Sequence, residues 1–288
     1  MATRIFTFSG TGNSLWVAKA LQRRIQDCAV SPMAAWLRHG LEEAPEPVIG
    51  FVFPVHAFTM PLLMERFMRR VRLPNARYVF AVATRGGSPC RVFRHLNRAL
   101  KSTGKPLDAA YYMDMPNNYL LYWDAPDQET YQRLDEEARK QVRRIAEAVR
   151  RREPRRGYEH GYFVLEHMLF PLISLASRAT RYFGLEKCFT AEEACTGCGL
   201  CEEVCVSGKI TMQDGRPIWN PAVRCDFCFA CIHFCPAQAI QLRSTKSKIR
   251  GRYHHPRITA AEIAAQKDRT EYPSPAARAV SGPAASSS

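Results

Sequence analysis

The sequence lacks a hydrophobic run that is long enough to cross a membrane. No window reaches about 18 apolar residues without interruption, so no transmembrane helix is expected. The nearest candidate is segment 162–183, which is interrupted by Glu166, His167, Arg178 and Arg181. We interpret it as an amphipathic helix packed on the protein body, with binding to a membrane surface as the less favoured alternative.

The first residues also lack the features of a secretory signal. Met1 to Arg4 lead directly into a strand-like segment, without an apolar core or a small-residue cleavage site. We therefore expect a cytoplasmic protein. In that compartment the 11 cysteines are expected to serve metal or redox chemistry instead of disulfides.

Acidic residues are scarce relative to basic ones. The chain has 27 Asp and Glu against 41 Lys and Arg, which gives a formal net charge of +14. Nucleic-acid binding is not favoured, because no recognition motif accompanies this charge. Electrostatic steering toward an acidic protein partner is the simpler interpretation.

Short β-rich runs alternate with helical patterns over the first 125 or so residues, and a longer helical pattern follows the last run. Three of the runs are continuously apolar, as is typical of parallel strands that are buried on both faces. The alternation predicts a doubly wound α/β sheet. The predicted strands are 4–8, 29–32, 48–53, 78–84 and 109–113. The predicted helices are 14–26, 60–71, 89–102 and 128–152.

Changes in composition divide the chain into four predicted regions. A charge run with a proline, 150–156, is typical of a helix end and linker. After residue 245 the sequence is basic and then rich in Ala, Ser and Pro, so its last 15 or so residues are predicted to be disordered. The predicted regions are an α/β domain at 1–153, a linker and connecting helix at 154–190, a cysteine-rich domain at 191–242 and a basic extension at 243–288.

The cysteine-rich region contains an internal repeat. CTGCGLCEEVC begins at Cys195, CDFCFACIHFC begins at Cys225, and both follow C-x2-C-x2-C-x3-C. Asp214-Gly215 between them is a hairpin signal, so we predict a duplicated unit joined through a hairpin. Structural zinc also uses paired C-x2-C motifs, but four equally spaced cysteines that occur twice favour iron–sulfur clusters.

This spacing predicts crossed ligation of two [4Fe–4S] clusters. Three thiolates come from one tight loop and the fourth must approach from another direction. The first cluster is assigned Cys195, Cys198, Cys201 and Cys235, and the second Cys225, Cys228, Cys231 and Cys205. The block resembles the two-cluster bacterial ferredoxins over 191–241, although Val206 stands where that family commonly has proline. The other cysteines, Cys28, Cys90 and Cys188, are expected to be small buried hydrophobes.

A second motif, FSGTGNS at 8–14, stands between the first strand and the first helix. Backbone N–H groups and the helix dipole make such a turn suitable for a phosphate. A Walker A loop is excluded because no lysine occurs before Lys19, and a dinucleotide fingerprint is excluded because Leu15 stands where Gly or Ala is needed. An ordinary helix N-cap is the alternative.

The same motif resembles the FMN-phosphate loop of flavodoxins, whose pattern is Ser/Thr-x-Thr-Gly-Asn-Ser/Thr. The resemblance implies that FMN is held by this loop and by the loops after the third and fourth strands, with 115–119 as a candidate lid. The implied binding residues are Ser9, Gly10, Thr11, Gly12, Asn13, Ser14, Pro54, Val55, His56, Ala57, Phe58, Thr84, Arg85, Gly86 and Gly87. Two questions stay open: whether His56 and Phe58 flank the flavin or pack the loop, and whether Arg85 faces the flavin or solvent.

The whole chain resembles the flavodoxin–ferredoxin fusion proteins of the "ferrodoxin" type. This resemblance implies an α/β fold, with a flavodoxin-like doubly wound parallel sheet followed by a small α+β two-cluster ferredoxin domain. FMN and two [4Fe–4S] clusters are the implied cofactors, and with them bound the formal charge falls to about +8. The oligomeric state is left open.

Three functions remain open from the sequence. The first is an electron carrier that relays electrons between the clusters and FMN and on to protein redox partners. The second is an FMN-dependent reductase of a small substrate, with His56, Tyr119 or Tyr122 as proton donor. The third is a ferredoxin whose flavodoxin-like domain is a flavin-free docking module.

Overall fold

The first part of the chain forms a parallel five-stranded sheet. The structure is a computed structural model that describes residues 1–88, 91–155 and 168–272. The strands are β1 (Thr3–Thr7), β2 (Cys28–Pro32), β3 (Val48–Pro54), β4 (Tyr78–Arg85) and β5 (Ala109–Asp114). Their order in the sheet is β2-β1-β3-β4-β5, with all neighbouring pairs parallel. This is the flavodoxin-like order, so the predicted fold class is confirmed.

Helices cover both faces of this sheet. They are α1 (Asn13–Gln22), α2 (Met33–Arg38), α3 (Leu62–Met68), α4 (Val92–Leu100) and α5 (Gln128–Arg151). Alternate strand residues face opposite sides: Ile5 packs in the apolar cluster with α1 and α5, and Phe6 packs in the cluster with α2, α3 and α4. The short helix α2 was not predicted, and Cys90, with the start of the predicted helix at 89, lies outside the described residues.

The cysteine-rich part forms a small α+β unit. Its elements are β6 (Phe189–Ala191), α7 (Leu200–Glu203), β7 (Ile210–Gln213), β8 (Arg216–Trp219), α8 (Ala230–His233) and β9 (Ile240–Leu242). Strands β6 and β9 pair antiparallel, as do β7 and β8. The turn between β7 and β8 places Asp214 at φ 49° and Gly215 at φ 71°, the left-handed conformations of a type I′ hairpin. The predicted hairpin is therefore confirmed.

One helix between the two parts has an exposed apolar face. In α6 (Phe170–Ala179), the Phe170 ring stacks on Phe58 with a centroid separation of 4.1 Å. Leu172 and Leu175 on the outer side are 65% and 66% exposed. The beginning of the predicted helix, 162–167, lies outside the described residues, and no described helix is long and apolar enough to cross a membrane.

The segment after β9 packs back onto the parallel sheet. Its helix α9 (Ala260–Ala264) has a capping box, in which Thr259 and Glu262 exchange side-chain and backbone hydrogen bonds. Farther along, the Tyr272 N–H donates to the Val30 carbonyl at 2.7 Å, at the edge of the sheet. Short 3-10 helices occupy Lys101–Thr103, Leu185–Lys187, Lys246–Ile249 and Ala265–Lys267. The predicted disordered end lies outside the described residues.

Candidate functional site

The structure brings four of the predicted cluster cysteines around one cavity. Cys195, Cys198, Cys201 and Cys235 line it together with apolar side chains, among them Leu200, Met212 and Ile240. Gly199, at φ 78°, makes the turn that starts α7 and carries Cys201 inward. Cys235 follows α8, in the other half of the repeat. This cavity therefore combines three thiols from one half with one from the other.

The other four predicted cysteines form a second group. Cys225, Cys228 and Cys231 come from the loop that leads into α8, and Cys205 follows α7. Cys205 lies close enough to these three thiols that its charge contributes to raising the pKa of each. The crossed arrangement therefore occurs in both halves.

Burial makes bare thiolates unfavourable in both groups. It raises the pKa of the Cys201 thiol to about 11 and that of Cys228 to about 12. A thiolate at these positions needs a neighbouring positive charge, which bound iron supplies. The donor set and its apolar surroundings therefore fit an iron–sulfur cluster. In the described ranges, no group of three His, Cys, Asp or Glu side chains is placed to hold a single metal ion.

A buried ion pair supports the second group. Glu186 Oε1 accepts a hydrogen bond from the Cys225 N–H at 2.8 Å and lies 3.0 Å from Lys209 Nζ. Lys209 also donates to the carbonyls of Asn220 and Val223, at 2.8 and 2.6 Å. Sequence analysis missed this support because the pair is 23 residues apart, with no local pattern that links its members.

The two groups differ in their access to solvent. Cys198 in the first group is exposed. The loop that carries the second group packs against the flavodoxin-like part, where Arg66 of α3 pairs with the fully buried Asp226 at 3.0 Å. Only the first group therefore has an exposed cysteine.

The loop predicted to hold a phosphate lies at the carboxyl edge of the sheet, between β1 and α1. Its hydroxyl groups already have protein partners. Ser9 Oγ accepts from the Gly12 N–H at 3.0 Å, and Thr11 Oγ1 accepts from the Asn118 amide at 2.5 Å. Ser14 Oγ shares a hydrogen bond with Thr84 Oγ1 at 2.8 Å. Ser9, Thr11 and Ser14 are at most 2% exposed, so solvent does not reach them.

The C-terminal segment covers this loop through specific hydrogen bonds. The Gln266 amide accepts from the Ser9 N–H at 2.9 Å and donates to the Ser9 carbonyl at 2.8 Å. The His255 N–H donates to the Thr11 carbonyl at 2.7 Å, and the Tyr253 hydroxyl donates to Asn13 Oδ1 at 2.8 Å. Sequence analysis treated this segment as a basic extension and missed these contacts.

The cysteine loop of the second group covers the same edge. A Cβ at Gly10 would overlap the carbonyl oxygen of Cys228 and lie 2.8 Å from its Cβ. Phe227 and Phe229 belong to one apolar cluster with Ala57, from the loop after β3, and Tyr119, from the loop after β5. The cysteine loop thus contacts three loops that the flavodoxin resemblance assigns to FMN or its lid.

The residues predicted to surround the flavin ring pack within the protein. His56 is partly buried, burial lowers its pKa to about 4, and Phe58 stacks on Phe170. Arg85 pairs with Asp114 at 2.6 Å and lies over the Tyr112 ring at 4.9 Å. In this arrangement His56 and Phe58 pack within the loop after β3 and its surroundings. The Arg85 side chain contacts Asp114 and Tyr112.

The remaining predicted residues are held near the same edge. The Val55 N–H donates to the Thr84 carbonyl at 2.9 Å, and Pro54 ends β3 opposite Thr84. A Cβ at Gly86 would lie 2.9 Å from Asn117 Cβ, whereas a Cβ at Gly87 would meet nothing within 4 Å. These residues are brought together at one edge of the sheet, where the cysteine loop and the C-terminal segment contact the phosphate loop.

Comparison with known families matches the cysteine-rich part. A family model described as a 4Fe–4S dicluster domain matches residues 194–241, which include all eight predicted ligands. None of the curated proteins compared with the chain matches it. The chain thus combines a flavodoxin-like sheet with a 4Fe–4S dicluster domain, in the manner of a flavodoxin–ferredoxin fusion.

Solved structures align with the chain at low identity. Rubredoxin oxygen:oxidoreductase from Desulfovibrio gigas is 15% identical with a TM-score of 0.35, and the alignment covers 52% of this chain but only 36% of that one. A putative flavoprotein from Bacteroides uniformis is 13% identical with a TM-score of 0.31, covering 47% and 97%. The Trp repressor binding protein from Bacillus subtilis is 10% identical with a TM-score of 0.33, covering 50% and 99%. The fold assignment here rests on the strand order and not on these alignments.

Proposed function

We propose that this chain is an electron-transfer protein in which two [4Fe–4S] clusters exchange single electrons with protein redox partners. The observation that carries the proposal is the crossed grouping, with Cys235 beside the first three cysteines and Cys205 beside the second three. When bound, each cluster accepts or donates one electron at a time, and the partner protein is the reductant or oxidant.

The residues around the thiols would tune this chemistry. Leu200, Met212 and Ile240 line the first cavity and limit the access of water to it. In the second group, the Phe227 N–H donates to Cys225 Sγ at 3.3 Å. Such a bond disperses negative charge on the sulfur and favours the reduced state of a bound cluster.

Access supports the first group as the point of exchange with partners. Cys198 is exposed there, whereas the loop of the second group packs on the flavodoxin-like part. An acidic partner is supported by the net charge of +14, which falls only to about +10 when two oxidised clusters are included. We place the protein in the cytoplasm, where its cysteines are kept reduced.

The covered phosphate loop supports one of the three functions that the sequence left open. A relay through FMN and an FMN-dependent reductase both need a flavin at Ser9–Ser14. The hydrogen bonds from Gln266, His255 and Tyr253 to that loop favour the third function, a ferredoxin with a flavodoxin-like docking domain. An electron carrier is accordingly favoured over a substrate-specific oxidoreductase.

The test is the metal content of the full chain, purified without oxygen and reconstituted. We expect about eight iron and eight acid-labile sulfide per chain, and EPR signals of reduced [4Fe–4S] clusters after stepwise reduction. About two zinc ions without sulfide would overturn the proposal, because zinc carries no electrons.

A further inference from the structure

We infer that the edge of the parallel sheet that binds FMN in flavodoxins is, in this protein, a docking site for the protein's own cysteine loop, so that the full chain excludes FMN. The cysteine loop is residues 225–231, and residues 253–266, here called the C-terminal latch, hold the phosphate loop closed. This inference concerns the flavodoxin-like part. It does not depend on which metal the cysteines bind.

A glycine occupies position 10, in the middle of the phosphate loop. The flavodoxin-like pattern accepts any residue at this position, and Gly10 is not among the residues with positive φ. Neither a phosphate nor the backbone therefore requires a glycine here. The cysteine loop does require it, because a Cβ would overlap the Cys228 carbonyl oxygen. Gly10 is thus explained by docking of the cysteine loop.

Polar groups of the C-terminal latch pair with polar groups of the phosphate loop. Gln266 is fully buried, and its amide satisfies both the N–H and the carbonyl of Ser9. The Thr11 carbonyl accepts a hydrogen bond from the His255 N–H in the same way. Removing the Gln266 amide while the C-terminal latch stays in place would leave the Ser9 groups buried without partners, which costs roughly 1–3 kcal/mol for each. A segment without specific contacts would not pair its polar groups with those of the loop in this way.

The cysteine loop carries two aromatic residues, Phe227 and Phe229. Phe227 and Phe229 have φ values of 49° and 57°, in the left-handed region that non-glycine residues rarely adopt. Phe229 lies 5.7 Å from Tyr119, the last residue of the predicted flavin lid. Both aromatic rings are at most 5% exposed. Gly197 and Gly199, the equivalent positions of the first half, have the same left-handed φ, so this backbone belongs to the cysteine motif. What distinguishes the second half is that aromatic residues occupy these positions and pack against loops that the flavodoxin resemblance assigns to a flavin ring.

The decisive experiment adds FMN to the full-length, cluster-loaded protein under anaerobic conditions. We expect the purified protein to carry fewer than about 0.1 FMN per chain, and we expect no saturable quenching of FMN fluorescence at protein concentrations up to about 100 μM. Hydrogen exchange in a peptide covering 5–14 should be the same with and without FMN. One tightly bound FMN per chain, or FMN-dependent protection of this peptide, would overturn the inference.

Paired variants test the contacts themselves. Gly10→Ala should release the cysteine loop and raise the exchange rate of peptide 5–14 at least about tenfold. Gly87→Ala is the matched control, because a Cβ there meets nothing within 4 Å. Identical exchange in the two variants would count against docking at Gly10.

A second variant guards against a failure of Gly10→Ala to fold. Gln266→Glu keeps the size of the side chain but cannot donate to the Ser9 carbonyl, so the same peptide should again exchange faster. Unchanged exchange in Gln266→Glu would show that the C-terminal latch does not hold the loop. Iron and sulfide content report on the proposed electron transfer, so the two ideas can fail separately.

Discussion

Lys209 Nζ lies 3.0 Å from Glu186 Oε1, and both side chains are only 3% exposed. Because Glu186 also accepts the Cys225 N–H, the pair connects a hairpin, a 3-10 helix and a cluster ligand. A buried charge that loses its partner is strongly destabilising, whereas a solvated pair contributes little.

Lys209→Met should therefore lower the free energy of unfolding by about 3–5 kcal/mol, because it leaves the Glu186 carboxylate buried without this cation. Anaerobic denaturant titration of the cluster-loaded protein measures the change. Lys248→Met is the matched control, since Lys248 pairs with Glu192 but is 70% exposed. Its effect should be at most about 1 kcal/mol. Equal effects of the two substitutions would contradict a structural role for the buried pair.

Cys235→Ala should remove one cluster and leave the other. Cys235 lines the first cavity although it follows the second triplet in sequence, so its loss should affect the cluster held by Cys195, Cys198 and Cys201. Iron should fall from about eight to about four per chain. Cys188→Ala, outside both groups, should keep the full iron content. Loss of the cluster held by Cys225, Cys228 and Cys231 instead would show that the ligands are not crossed.

The stability of the protein should decrease as the pH falls below about 6.5, in part because of His255. This ring is 1% exposed and stacks on Trp16 at 5.0 Å; burial, with a further contribution from Arg257, lowers its pKa to about 4. The His255 ring binds a proton only near pH 4 in the folded state but near pH 6.5 in the unfolded state. Its contribution to the free energy of unfolding is therefore complete above pH 6.5 and is lost as the pH falls toward 4. The loss from this group is at most about 1.4 kcal/mol per pH unit.

Urea midpoints at pH 7.5, 6.0 and 5.0 check this pH dependence. His255→Phe keeps an aromatic ring against Trp16 but removes the proton-binding site, so its stability should fall less between pH 7.5 and 5.0 than that of the natural sequence. His39→Phe, at an exposed position, is the control for the exchange of histidine for phenylalanine itself. An unaltered slope in His255→Phe would show that this ring is not kept neutral by folding.

Electron transfer from an acidic partner protein should slow as salt is added. Raising the ionic strength from about 0.05 M to about 0.5 M screens the attraction between an acidic donor and this basic chain. Stopped-flow reduction of the clusters should show at least about a tenfold fall in the second-order rate constant. A neutral chemical reductant serves as control and should show little dependence. Salt-independent transfer from the acidic donor would exclude steering by the net charge.

The sheet could be predicted from the sequence because its signals are local. Strands buried on both faces are continuously apolar, as in Val48–Pro54 and Tyr78–Arg85, and turn residues separate them from the helices. The predicted strand ends differ from the observed ones by one residue where they differ. The helix Met33–Arg38 was missed because only six residues form it, too few to show a period.

The covering of the phosphate loop could not be predicted in the same way. Gln266 and Ser9 are separated by 257 positions, and neither residue signals the other. The capping box at Thr259 and Glu262 was a local sign that the basic extension folds into a helix. Even so, a helix signal does not say which surface the helix contacts. The match of Ser9 to Ser14 with a phosphate loop indicates what this loop can bind. Whether a phosphate reaches the loop depends on the segments that pack over it.

The hydrogen bonds between Gln266 and Ser9 also set an order of events during synthesis. At about 5–20 residues per second, Gln266 emerges roughly 10–50 s after Ser9, so the loop at Ser9 stays without this partner for that interval. During that interval the nascent sheet exposes an edge that the finished chain buries. A chaperone, or a free phosphate compound in the cell, can meet this edge before the segment that carries Gln266 is made.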